Sequence, residues 1–184
     1  QSSSGDFWFA TKKWVSRFDG TIWTDYTKSN GIANKIVTWV AEQLWWNIWI
    51  STINGVSEFN GTTWITYGES DGLVDKNVLD VYTDSTWNMW FATVNWVSTF
   101  NGTTWITYNE FNGLIDKYVN NIFEDSNGNM WFATVAWASM FDWSTWVDYT
   151  IADWLADNDV QVIYQDADEN IWFGTKKWIT IYFN

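Results

Sequence analysis

The sequence predicts an all-β protein, a propeller of four-stranded antiparallel blades. Three observations lead there. Trp8, Trp49, Trp90, Trp131 and Trp172 recur every 41 residues, in the phrases DFWFAT, NIWIST, NMWFAT, NMWFAT and NIWFGT. A fixed period of that length marks a repeat architecture. The runs between turns are short, aromatic and β-branched, and helical periodicity is weak throughout. Asn-Gly pairs separate several of these runs, and Gly there tolerates the positive φ of a hairpin turn.

The third unit shows each element in order. Asn88–Thr93 and Val97–Phe100 read as two short strands. Trp105–Tyr108 follows the turn Asn101-Gly102-Thr103-Thr104, and Val119–Glu124 follows a longer polar loop. Four strands in about 40 residues is the signature of a propeller blade. Blades pack on both faces, which explains apolar residues on both faces of a strand such as MWFA. The register holds without gaps. Three residues after each marker Trp comes Thr, eight after it a hydroxyl, and ten after it an aromatic. Fifteen after it comes a second Trp (Trp23, Trp64, Trp105, Trp146), and eighteen after it Tyr26, Tyr67, Tyr108 or Tyr149.

Composition narrows the function classes. The chain has 184 residues with 47% hydrophobic and 21% aromatic content, which excludes disorder. Its net charge of -13 disfavours nucleic acid and anionic membrane surfaces. There is no Cys, hence no disulfide or thiol nucleophile, and no His, the commonest general base. No Ser-His or Cys-His pair can form, and propeller lyases that rely on His are excluded. No apolar run approaches the roughly 18 residues that span a bilayer, so no membrane insertion is expected in this segment. No cofactor motif is present and none is expected.

Residues 55–67 (GVSEFNGTTWITY) and 119–134 (VNNIFEDSNGNMWFAT) resemble the two-component regulator propeller repeat, and the likeness runs through essentially the whole chain. The resemblance implies an extracytoplasmic sensor region of a bacterial signalling protein, or a domain of a secreted or surface protein. It also implies that the Val-x-x-Ile strand is innermost. By that phase the chain holds a partial blade (1–27), blades at 35–67, 76–108 and 117–149, and a partial blade (158–184). About 4.5 repeats give an incomplete five-blade ring, a fragment of a larger propeller, or a protomer that self-associates through open terminal blades.

Nineteen Trp are present, and the repeat explains nine. The other ten are Trp14, Trp39, Trp45, Trp46, Trp87, Trp96, Trp137, Trp143, Trp154 and Trp178. Most stand where another copy carries Gly. Trp14, Trp96, Trp137 and Trp178 match Gly55; Trp143 matches Gly20, Gly61 and Gly102. Trp154 matches Gly31, Gly72 and Gly113, and Trp46 and Trp87 match Gly128. Trp39 and Trp45 have no Gly counterpart. Nothing physical exchanges Gly for Trp, but UGA is read as Trp in some codes and as Gly in certain uncultured bacterial lineages. Miscoded Gly is therefore the expectation, against natural Trp forming exposed aromatic patches.

Candidate sites lie in loops. The loops before each innermost strand carry Glu69, Asp71 and Asp75; Glu110 and Asp116; and Asp153, Asp157 and Asp159. Short loops on the same face carry Lys12, Lys13, Asn54, Asn95, Lys176 and Lys177. Together they form a candidate ligand face, with a merely solvated rim as the alternative. Asp125 with Asn127, and Asp166 with Asp168, resemble half a calcium loop, but no bidentate Glu follows and tight-turn chemistry is the stronger reading. Asn60 and Asn101 sit in N-G-T sequons that double as hairpin turns. The expected function is a non-catalytic ligand-sensing or protein-interaction module for a small molecule, glycan or protein. A lectin-like propeller is the alternative, and a glycosidase using loop carboxylates comes third.

Overall fold

The computed structural model describes residues 1–43 and 47–183. Trp45 and Trp46 lie outside the described residues. The chain folds into five antiparallel sheets in sequence order. The first holds β1 (Phe7–Ala10), β2 (Val15–Phe18) and β3 (Trp23–Tyr26). The second holds β4 (Val37–Glu42), β5 (Ile48–Thr52), β6 (Gly55–Phe59) and β7 (Trp64–Tyr67). The third holds β8 (Val78–Thr83), β9 (Met89–Thr93), β10 (Val97–Phe100) and β11 (Trp105–Tyr108). The fourth holds β12 (Val119–Glu124), β13 (Met130–Thr134), β14 (Ala138–Phe141) and β15 (Trp146–Tyr149). The fifth holds β16 (Val160–Gln165), β17 (Ile171–Thr175) and β18 (Ile179–Tyr182). Strands β4, β8, β12 and β16 pack side by side as the innermost strands. This is the blade geometry of a propeller, as the sequence predicts.

Each repeated letter has a physical job. The marker indole fills the space between sheets: Trp49, Trp90 and Trp131 are 0%, 1% and 3% exposed. Each stacks on the Tyr of its own outer strand, as Trp90 does on Tyr108 at 5.2 Å. Each also meets the next sheet's Phe, as Trp90 does Phe132 at 5.7 Å. Such pairs add about 1 kcal/mol each beyond area burial. The recurring Thr closes the turn after the marker strand, as Thr93 Oγ1 does by donating to the Trp96 carbonyl at 2.7 Å. The recurring hydroxyl holds the long loop: Ser57 Oγ accepts from the Ala33 amide and Ser98 Oγ from the Val74 amide, both at 2.8 Å. The hairpin Asn60 takes the amides of Thr62 and Thr63 on its Oδ1, which makes that sequon a turn lock.

Three joints tie neighbouring sheets at the far end of the inner strands. Glu42 accepts from the Ser3 amide at 2.7 Å, and Glu124 accepts from the Ser85 amide at 2.6 Å. Gln165 accepts from the Ser126 amide at 2.7 Å in the same way. These bonds reach 39 residues along the chain, so each sheet is held by the next rather than by its own strands alone.

The glycine positions are turns with left-handed backbone. Gly20, Gly61 and Gly102 have φ of 91° to 95°, and their counterpart Trp143 has 70°. Trp96 takes φ 83° where Gly55 takes 103°, and Trp87 takes 70° where Gly128 takes 82°. These three Trp and Glu169 are the non-glycine residues with positive φ among the described residues. Trp14, Trp137, Trp154 and Trp178 do not adopt positive φ, so those turns are rebuilt locally.

Candidate functional site: an axial cleft between the inner strands

Every inner strand carries the same irregularity. The register with its neighbour slips between Val37 and Trp39, Val78 and Asp80, Val119 and Asn121, and Val160 and Val162. A bulge leaves one residue unpaired and turns its neighbours out of the ladder. Here the displaced side chains face a shared cleft of about 490 Å³. Thr38, Trp39, Asp80, Asn120, Asn121 and Gln161 line it, and Lys12 reaches it from the loop after β1.

The bulge residues form a relay from sheet to sheet. Asn121 Oδ1 accepts the Ile163 amide of the next sheet at 2.9 Å. Asp80 Oδ2 accepts the Ile122 amide at 3.0 Å and the Asn121 side-chain amide at 2.7 Å. Trp39 stands one step earlier and has no oxygen to offer. The Val81 amide turns instead to Asp80 Oδ1, at 2.8 Å. Asp80 is buried, and desolvation pushes its pKa up to about 6 despite these three donors. The cleft therefore holds one carboxylate with a raised pKa, three amides, a hydroxyl, an ammonium group and an indole that is 53% exposed.

The loop residues singled out in the sequence mostly do structural work. Asp71 Oδ2 accepts the Gly68 amide at 2.8 Å, and its counterpart Asp153 accepts the Thr150 amide. Asp75, Asp116 and Asp157 each accept the amide two residues on. Asn30, Asn34 and Asn112 do the same at other copies of these positions, so charge is not what the positions require. Glu69 accepts the Lys76 amide at 3.2 Å. Lys176 pairs with Asp159 at 2.9 Å and Lys177 with Asp157, which holds that carboxyl below its usual range. Asn54 and Asn95 are half-exposed or exposed in turns that Thr52 and Thr93 close through their amides, and Lys13 lies over the Trp14 ring. Of the predicted site residues, only Lys12 lines the axial cleft. Glu110 is exposed and its side chain has no hydrogen bond among the described residues.

The half calcium loops are turns. Asp125 Oδ1 accepts the amides of Asn127 and Asn129, while Oδ2 accepts Asn129 Nδ2 and the Trp131 indole N–H at 2.8 Å. Asp166 repeats the pattern with Asp168, Asn170 and Trp172, and those donors lower its pKa, the indole foremost. Among the described residues no group of three or more acidic side chains is gathered as a metal site.

Known proteins share this architecture. The family model for the two component regulator propeller matches residues 113–136 and 155–177. A comparison with curated proteins gave no match. Among solved structures, the extracellular domain named for the hybrid two component system BT3049 of B. thetaiotaomicron superposes with a TM-score of 0.89 at 20% identity. It covers 100% of this chain and 27% of its own. The extracellular domain of BT4673 from B. thetaiotaomicron gives 0.79 at 15% identity, over 98% of this chain and 26% of that one. A catalytically inactive virginiamycin B lyase from Staphylococcus aureus, with quinupristin, gives 0.75 at 16% identity, over 98% and 67%. At these identities the likeness is one of fold, and this chain spans about a quarter of the length of the two extracellular domains. No helix among the described residues is long and apolar enough to cross a membrane. The chain is an all-β propeller, and its residues 113–136 and 155–177 match the two component regulator propeller.

Proposed function

We propose that the chain is a non-catalytic, ligand-sensing part of an extracytoplasmic bacterial sensor, and that its ligand enters the axial cleft. The observation that carries this reading is the relay through Asp80 and Asn121. It links the cleft directly to backbone amides of three successive sheets. A ligand that hydrogen-bonds the cleft competes with joints between blades and so changes how they sit together. The extracellular domains that share the fold support the location. Within this chain there is no His to serve a lyase of the kind whose His-to-Ala form is named inactive.

The exposed Trp39 ring beside amides favours a polyhydroxy ligand, since an indole covers the C–H face of a sugar while amides bond its hydroxyls. A thermal-shift panel of mono- and disaccharides, amino acids and dicarboxylates tests the site. The expected result is a stabilising compound whose effect disappears in a Lys12→Ala/Gln161→Ala variant. Both residues are exposed, so the variant keeps its fold. Stabilisation that survives the double substitution, or turnover of a panel member, contradicts the reading.

We also infer that glycine belongs at the displaced Trp positions that keep a left-handed backbone, Trp87, Trp96 and Trp143, and not at Trp39, which has no Gly counterpart. Trp87, Trp96 and Trp143 sit on left-handed backbone that costs a side chain about 1–2 kcal/mol. The coding DNA decides: TGA codons support the inference, and TGG at these sites sinks it.

A further inference from the structure

The hairpin before each outer strand repeats one turn with two different acceptors. Asn60 Oδ1 accepts the Thr62 amide at 3.1 Å, the Thr63 amide at 2.9 Å and the Thr62 hydroxyl at 2.9 Å. Asn101 Oδ1 accepts the Thr103 amide at 3.0 Å, the Thr104 amide at 2.8 Å and the Thr103 hydroxyl at 2.9 Å. At the same point of the first and fourth sheets that oxygen belongs to a carboxylate. Asp19 Oδ1 takes the Thr21 and Ile22 amides and the Thr21 hydroxyl, and Asp142 Oδ1 takes the Ser144 and Thr145 amides and the Ser144 hydroxyl. The Thr21 hydroxyl, followed by the two amides, holds the Asp19 carboxyl down at about 2. The Ser144 hydroxyl leads the same effect at Asp142, whose carboxyl is also lowered. This ring of donors therefore favours a negative oxygen over a neutral one.

Gly follows Asn30, Asn54, Asn60, Asn101, Asn112 and Asn127. At four of these pairs the Gly amide is bonded. Gly31 donates to the Lys28 carbonyl, Gly55 to Lys76, Gly113 to Glu110 and Gly128 to Asp125. The amides of Gly61 and Gly102 have no acceptor among the described residues. The side chains differ too. Asn30 and Asn112 turn their Oδ1 backwards, to the amides of Thr27 and Asn109. Asn60 and Asn101 turn theirs forwards, and the ring closed by the bond from Thr62 to Asn60 contains the Gly61 nitrogen. That nitrogen and the Asn60 Cγ are thus held on one small loop. A Cβ at Gly61 or Gly102 would meet nothing within 4 Å, so a new ring has room and water has access.

We propose that Asn60-Gly61 and Asn101-Gly102 are self-modifying turns, in which the asparagine converts to an aspartyl residue through a succinimide. The Gly nitrogen gives its proton to solvent base and bonds to the Asn Cγ. The donors that favour a negative oxygen at Asp19 and Asp142 stabilise the oxyanion of this addition. The Cγ–Nδ2 bond then breaks, and the amide nitrogen takes up a proton and leaves as ammonia. Water opens the succinimide. Cleavage at the former side-chain carbonyl gives aspartate, and cleavage at the backbone carbonyl gives isoaspartate. The net change is –NH2 replaced by –OH, with water as the co-reactant. An aspartate product keeps the hydrogen bonds already seen at Asp19 and Asp142, so the hairpin accepts it. An isoaspartate puts Cβ into the main chain and breaks the lock.

The test is peptide mapping by mass spectrometry after incubating the folded chain in mildly alkaline buffer. Asn60 and Asn101 are expected to convert on the order of ten-fold faster than Asn30, Asn54, Asn112 and Asn127, a smaller effect than in a closed active site. In urea the six rates should converge. Thr62→Ala removes one donor from the Asn60 oxygen and should slow conversion there several-fold. Asn101 in the same chain is the internal reference and should not change. A turn that reacts only because it is loose would speed up instead. If Thr62→Ala disturbs the fold, Asn101 changes with it, and the ranking of the six sites in the unaltered chain decides. Similar rates at all six sites of the folded chain overturn the proposal. So does a Thr62→Ala chain that keeps Asn101 unchanged and converts Asn60 as fast as before or faster.

Discussion

Phe9, Phe91 and Phe132 stand at one position of the repeat, yet Phe9 is exposed while the other two are fully buried. Trp8 shows a second side of the contrast. The indole N–H of Trp90 donates to Asp84, and that of Trp131 to Asp125, but the buried Trp8 Nε1 has no partner among the described residues, and Ser2 stands where those Asp residues stand. The middle sheets and the flanking ones are thus made of the same letters with different neighbours. A blade's core is not its own: half of it belongs to the next blade, as expected of a nearest-neighbour array.

The sharpest way to break this comparison is to truncate matched rings. Phe91→Ala should lower unfolding stability by about 3–5 kcal/mol in urea melts, and Phe9→Ala by about 1 kcal/mol or less. Equal losses would mean that the flanking face is covered in solution. Next in size is the buried carboxylate. Asp80 has a folded pKa raised to about 6 from an ordinary 3.8, so the folded state holds its proton more tightly than the unfolded one. Stability should therefore fall as pH rises from about 4 to 6, by up to about 3 kcal/mol, and stay flat above. Asp80→Asn keeps an acceptor and should remove that slope, as read from urea melts across the range.

Smaller effects sharpen the picture at the turn locks. Asp84→Ala strips partners from the Trp90 indole and from the amides of Thr86 and Asn88, and should cost about 2 kcal/mol. The mirror change Ser2→Asp offers Trp8 its missing acceptor and should gain about 1 kcal/mol at most. Trp87→Gly relieves left-handed backbone at an exposed ring, with a gain of about 1 kcal/mol in thermal melts.

The blade was legible because its residues answer to local physics repeated many times. Trp90, Thr93, Ser98 and Tyr108 recur since each copy needs the same stack, turn and loop lock. The glycine positions were legible in part for the same reason: Trp87, Trp96 and Trp143 keep the left-handed turn read there, while Trp14, Trp137, Trp154 and Trp178 do not. Asp125 as a turn residue was equally plain. The cleft was not. Its walls are Thr38, Leu79, Asn120 and Gln161, and Trp39, Asp80, Asn121 and Val162, the positions where copies agree least. They look like noise along the chain because they face the axis, where each of the four inner strands contributes two side chains of its own. The bulge that turns them inward gives no compositional sign. Acidic loops drew attention instead, although most of their carboxylates only hold amides.

Amide hydrogen exchange across the whole chain tests the nearest-neighbour account most directly. The account predicts that β4–β15 exchange slowly and together, while β1–β3 and β16–β18 exchange orders of magnitude faster through local opening. Uniform protection from β1 to β18 would contradict it.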